Sequence, residues 1–155
     1  MKPVVFSGSF DPVTNGHLDL IKRARAIFGA VVVVVLHNGA KQARFSVEER
    51  VQFLKEALAG QAHITVDSSE GLLADYMKKH GYTAVVRGLR SAHDWNPERT
   101  QAYFNKSFYP SLETVFLPAD EKYQFISSSA VKEALAHGAD VSAWVPLCVE
   151  KVLKK

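Results

Sequence analysis

Val31-Val32-Val33-Val34-Val35-Leu36 is the stretch on which the fold turns. A run of valines closing on a leucine, with no polar alternation, is what a central strand looks like when both of its faces are covered. Such strands belong to parallel sheets with helices above and below.

Working outward from that run, strand-length apolar segments alternate with helical periodicity, the pattern of a parallel sheet built through right-handed crossovers. Upstream, residues 3–7 read as the first strand, and a loop with Gly8, Pro12 and Gly16 follows. Leu18, Ile21, Ala24 and Phe28 then mark one face of a helix that stops at Gly29. Downstream, Ser46-Val47-Glu48-Glu49 has the spacing of a capping box and opens a second helix on Val51, Leu54 and Leu58, closed by Gly60. A short strand is expected over 64–66, and a helix over 70–80 carries Leu72, Leu73, Tyr76 and Met77 before Gly81. Strands over 83–86 and 114–117 bracket a helix expected from Pro97 to residue 108. A serine-capped helix over 127–137 ends at Gly138, and a last helix starts at Pro146. The expectation is an α/β chain with a doubly wound, five-stranded parallel sheet, and one domain over residues 1–155, with no repeat and no dividing linker.

Composition narrows the function classes. The chain has 155 residues, 47% apolar and 23% charged, which is ordinary globular usage. The run from Ala30 to Leu36 is far shorter than the roughly 20 residues of a membrane span, and the N-terminus lacks a signal-peptide core, so a cytoplasmic protein without a membrane partner is expected. Its single cysteine, Cys148, permits neither an intrachain disulfide nor a thiolate zinc cluster. The net charge of +3 permits an anionic partner, but Lys and Arg are scattered among acids. No basic stripe with interleaved aromatics is present, so no nucleic-acid partner is expected.

In open parallel sheets ligands bind beyond the carboxyl ends of the strands. After the first strand come Gly8-Ser9-Phe10-Asp11-Pro12-Val13-Thr14-Asn15-Gly16-His17, a glycine-bearing loop running into a helix whose free amides favour a phosphate, with His17 placed to donate to it. The loop has neither the dinucleotide glycine spacing nor a P-loop. After the second strand a loop offers Lys41 as a mobile cation. After the fourth come Arg87 and Arg90, two guanidiniums that form either a bidentate anion site or structural ion pairs. Phe125-Ile126-Ser127-Ser128-Ser129 places a cluster of hydroxyls at a helix start. Convergence of these loops on one sheet edge reads as a polyphosphate or nucleotide site.

These residues resemble the bacterial phosphopantetheine adenylyltransferases, a nucleotidyltransferase family with an H/T-x-G-H signature. The likeness runs through G-S-F-D-P-V-T-N-G-H at 8–17, the Lys41 loop, F-S-V-E-E-R at 45–50, R-G-L-R at 87–90 and F-I-S-S-S at 125–129. It implies a Rossmann-like fold and transfer of the adenylyl group of ATP, with Mg2+, onto 4′-phosphopantetheine, giving dephospho-coenzyme A and pyrophosphate. By the resemblance His17, Lys41 and Arg90 are the catalytic groups. Ser9, Phe10, His17, Gly88, Leu89, Arg90, Glu98, Tyr123, Gln124, Phe125, Ile126, Ser127, Ser128 and Ser129 contact ATP, while Ser9, Lys41, Leu73 and Arg87 hold the acceptor. No protein metal ligand is implied. Family members are usually hexamers in the cytoplasm, and coenzyme A is a typical feedback ligand.

The chain departs from the family pattern at Asn96-Pro97, where an acidic and aromatic pair is common, at Ser9, where threonine is frequent, and at Gly39, often proline. Two rival readings remain open: a nicotinamide mononucleotide adenylyltransferase of the same superfamily, and a non-catalytic nucleotide- or nucleic-acid-binding module. Ala130-Val131-Lys132 after the serines and R-G-L-R at 87–90 speak against the first, and the placement of His17 against the second.

Overall fold

A computed structural model describes residues 2–37, 39 and 42–154. In chain order the elements are β1 (Val4–Gly8), α1 (Asn15–Phe28), β2 (Val31–His37), α2 (Val47–Ala57), β3 (Ile64–Glu70), α3 (Leu73–His80), β4 (Ala84–Leu89), α4 (Ala92–Phe108), β5 (Glu113–Pro118), a 3-10 turn (Glu121–Tyr123), α5 (Ser128–Ala136) and α6 (Leu147–Leu153). All strands pair in parallel, in the order β3-β2-β1-β4-β5. The order reverses between β1 and β4, and the crevice at that switch point is where such sheets bind ligands.

The valine run is buried on both faces because successive side chains point to opposite sides of the sheet. Val31, Val33 and Val35 join Val4, Phe6 and Val86 under α1, α2, α5 and α6, where Ile21, Leu54, Val131 and Val149 complete the layer. Val32 and Val34 join Val5 and Val85 on the other face, against Leu73, Tyr76 and Met77 of α3 and Leu112. The doubly wound α/β arrangement of the sequence reading is therefore the one observed.

Three boundaries differ from the reading. β3 runs on to Glu70, pairing Asp67 with Val34 and Glu70 with His37, so the strand takes the residue expected to start the helix, and α3 begins at Leu73. It is an edge strand that faces water, and Asp67-Ser68-Ser69 carry no apolar signal. β4 continues through Arg87, Gly88 and Leu89, which pair with Phe116, Leu117 and Pro118. The R-G-L-R motif is thus largely strand rather than the loop after one. Finally, α4 starts at Ala92, so Pro97 lies inside the helix and not at its first turn. Ring closure costs that helix one backbone donor, but extended α4 carries Asp94 and Glu98 on one face, four residues apart.

Candidate active site

The site is built at the ends of β1 and β4. Phe10, directly beyond β1, has φ +49°, in the left-handed region, and is fully buried. Its ring lies so close to Gly8 that a Cβ there would stand 3.2 Å from ring carbon Cζ, so glycine is what lets the strand end turn under the ring. Two buried charges fix the loop. The Asp11 carboxylate accepts from the backbone N–H groups of Arg44 and Phe45, both at 2.9 Å, and from Lys132 Nζ at 3.2 Å. Burial works to raise the Asp11 pKa, but those donors together hold it below the ordinary carboxylate value. Arg50, 2% exposed, donates to the Ser9 carbonyl at 2.8 Å and to the Ser46 carbonyl at 3.3 Å.

α1 begins under a capping box in which Thr14 is the cap and His17 the third helical residue. The Thr14 N–H donates to His17 Nδ1 at 3.0 Å, and the His17 N–H donates to Thr14 Oγ1 at 3.3 Å. A ring nitrogen that accepts from an amide carries no proton, so the neutral imidazole holds its proton on Nε2. Burial, and then the positive charges of Arg87 and Arg90, push the His17 pKa down to about 4. At neutral pH the ring is an uncharged donor aimed at the cleft.

α5 supplies the opposite wall. Ser127 Oγ accepts from the Ala130 N–H at 3.0 Å as the helix cap, and Ser128 Oγ donates to the Pro12 carbonyl at 2.8 Å. Two of the serine hydroxyls are thus spent on structure, while the first-turn amides of Ser128 and Ser129 have no intrahelical acceptor by helix geometry. A helix start with free amides is an anion-binding surface. Tyr123 packs on the α1 start, where a Cβ on Gly16 would come 3.3 Å from Tyr123 Cβ.

Two cavities share one wall here. The first lies between the α1 and α5 starts and is lined by Ser9, Phe10, His17, Gly88, Arg90, Tyr123, Ile126, Ser127, Ser128 and Ser129. The second lies over β2 and α3, lined by Leu36, Leu72, Leu73, His37, Gln101 and Asn105 among others. Ser7, Gly8, Ser9, Arg87 and Glu98 border both. Most sequence-predicted residues are brought together in this way, with Leu73 in the second cavity and Arg87 in the dividing wall. Leu89 and Gln124 line neither cavity, and Phe125 points outward, 84% exposed. Lys41 lies outside the described residues.

Both arginines are ion-paired to carboxylates of α4. Arg87 grips Glu98 with two parallel bonds, Nε to Oε2 at 2.9 Å and Nη2 to Oε1 at 2.7 Å, and Nη1 donates to the Ser7 carbonyl. Arg90 Nε sits 3.4 Å from Asp94 Oδ2, and the Arg90 N–H donates to the same oxygen at 2.8 Å. Asp94, Asp11, Arg50 and Lys132 are site residues that the sequence reading does not reach. The four-residue spacings Arg90 to Asp94 to Glu98 are the available signal for the first.

Among the described residues no three His, Cys, Asp or Glu side chains converge on a point, and Asp94 and Glu98 are committed to arginines. That donor set suits a hard cation delivered on phosphate oxygens better than one caged by protein. No described helix is long and apolar enough to cross a membrane.

The model of the cytidylyltransferase-like family matches residues 5–134. Over 154 residues the chain is 45% identical to the phosphopantetheine adenylyltransferase of Desulforudis audaxviator, covering 99% of this chain and 94% of that protein. A protein of the same name from Shouchella clausii is 45% identical over 155 residues, 100% of this chain and 98% of its own length. One from Thermotoga neapolitana is 46% identical over 149 residues, 96% and 92% of the two chains.

Proposed function

The chain belongs to the cytidylyltransferase-like family and, within it, to the phosphopantetheine adenylyltransferases, and on that premise we propose that its two cavities receive ATP and 4′-phosphopantetheine. The reaction is transfer of the adenylyl group to the acceptor phosphate, giving dephospho-coenzyme A and pyrophosphate. The observation that carries this reading is the shared wall. A polar cavity under two helix starts and a second cavity with a leucine-lined side meet at Ser9 and Arg87. An anion in one is thereby set against an anion in the other.

In this reading the triphosphate lies against the amides of α1 and α5, and His17 Nε2 donates to the α-phosphate as charge builds on it. Arg90 and Lys41 relieve charge on the departing pyrophosphate and the acceptor phosphate, and Ser9, Arg87 and Leu73 hold the acceptor. Gly88, Leu89, Glu98 and the segment 123–129 border the nucleotide. Attack is direct and in line. Positioning and fixed dipoles supply the rate, and no covalent intermediate is needed. Mg2+, held by phosphate oxygens rather than by a protein cage, would supply neutralisation of phosphate charge.

Self-association belongs to the same reading. α4 exposes Trp95, Tyr103, Phe104 and Phe108, from 45% to 70% bare, and large aromatics left open on one helix support assembly of copies, a hexamer by the family likeness. Coenzyme A, which joins both substrate chemistries, fits as a feedback ligand of the paired cavities, and a cytoplasmic setting suits both substrates.

The test is pyrophosphate release from ATP and Mg2+ with 4′-phosphopantetheine or nicotinamide mononucleotide as acceptor. Release with phosphopantetheine alone is expected. Release with the mononucleotide alone overturns the acceptor, and release with neither favours a non-catalytic nucleotide-binding module.

A further inference from the structure

Glu98 stands in the wall common to both cavities and holds Arg87 by the guanidinium edge that a phosphate would use for a two-point contact. The third guanidinium nitrogen, Nη1, already donates to the Ser7 carbonyl. Every nitrogen of Arg87 is therefore engaged before an acceptor arrives. The pair is partly wet, with side chains 30% and 18% exposed, so its exchange for another anion does not require opening the core. Glu98 itself projects from the second turn of α4, and its carboxylate borders the polar cavity as well as the acceptor cavity.

We infer that Glu98 is a movable counter-ion that couples the two substrate cavities: nucleotide in the first draws its carboxylate away from Arg87, and the freed guanidinium then takes the acceptor phosphate in the second. The inference rests on the assignment of ATP and 4′-phosphopantetheine to these cavities. Hydroxyl groups of the nucleotide are the donors that a carboxylate at this wall would accept from. Phosphate and carboxylate compete for one guanidinium, so acceptor binding to the nucleotide-free enzyme is held back by the carboxylate. By linkage the effect is reciprocal, and acceptor strengthens nucleotide binding by the same factor. Glu98 acts through Arg87 and is in this respect a positioning residue.

Calorimetric titration of 4′-phosphopantetheine into the full chain, with and without saturating α,β-methylene ATP and Mg2+, reads the coupling without turnover. For the unaltered enzyme the acceptor Kd should fall at least about fivefold when the analogue is present. In Glu98→Gln, acceptor binding without nucleotide should tighten severalfold, and the ratio of the two Kd values should approach one. Glu98→Asp keeps the charge but shortens the reach, and should show a reduced ratio even if the glutamine variant does not fold. A glutamine variant that binds acceptor more weakly without nucleotide, or a coupling ratio unchanged in both variants, overturns the inference. Analogue binding with no acceptor binding to the unaltered enzyme in either state overturns the phosphopantetheine assignment itself, and with it this coupling.

Discussion

Thr14 holds His17 through its own backbone: the Thr14 N–H reaches the ring at Nδ1, 3.0 Å away, and the Thr14 hydroxyl oxygen stands 3.1 Å from the same nitrogen. The cap that starts α1 and the device that sets the tautomer of the site imidazole are one structure. A residue chosen to begin a helix thereby decides which ring nitrogen faces the phosphates.

Replacing His17 by alanine removes the Nε2 donor and the ring's half of the α1 capping box, while the Thr14 hydroxyl still caps the helix through the residue 17 amide. Turnover should fall about 100- to 1,000-fold, while ATP affinity changes little. Steady-state kinetics with direct nucleotide titration separates the two, and equal losses would reduce His17 to a ground-state ligand.

Acid should weaken the fold through the same ring. The His17 pKa is near 4 in the folded chain against 6.5 for the free side chain, so the unfolded state takes up the proton first. The contribution is complete above about pH 6.5 and is lost as pH falls through the window down to about 4. Urea unfolding between pH 7 and pH 4.5 should show a shallower acid loss in His17→Gln, by about 2 kcal/mol across the window.

Asp11 makes the opposite test of sign. Its folded pKa is depressed, so its contribution is present above the ordinary value near 3.8 and disappears as pH falls below it. Asp11→Asn keeps one acceptor oxygen for the two amides of Arg44 and Phe45 and gives up the charge opposite Lys132. It should cost about 2 kcal/mol at pH 7. The difference from the unaltered chain should shrink below pH 4, and a constant difference down to pH 2.5 would deny the charge its part.

A methyl group on Gly88 would come 2.4 Å from Cδ1 of the buried Leu20 side chain, which would have to shift within the packed layer. Gly88→Ala should destabilise by about 1–3 kcal/mol, measured as a fall in Tm. Leu20→Ala introduced alongside it should recover part of that loss, so that the pair is non-additive.

How much is legible in the sequence follows from where each residue ends up. β2 announces its double coverage because burial on two faces leaves only apolar residues. The polar end of β3 announces nothing, since Asp67 and Ser68 of an edge strand face water as loop residues do. Ser46 and Glu49 are readable as a cap because that contact is local, and both of its bonds are present. The grip of Glu98 on Arg87 is not, because it needs the end of β4 and a face of α4 to meet, and Pro97 disguises where that helix begins. Asp11 escapes for a similar reason: its partners at Arg44 and Lys132 lie 33 and 121 residues away in sequence.

The valine ribbon of β2 has a consequence during synthesis. Its two neighbours in the sheet are the strands made just before and just after it, β1 and β3. Until residue 70 has left the ribosome, a nascent chain therefore carries a hydrophobic, strongly β-forming segment with one edge unpaired, the kind of edge on which other chains aggregate. Neighbouring order along the gene keeps that interval short, and a chain truncated before Glu70 should partition into insoluble material on expression, where the full-length chain remains in the supernatant.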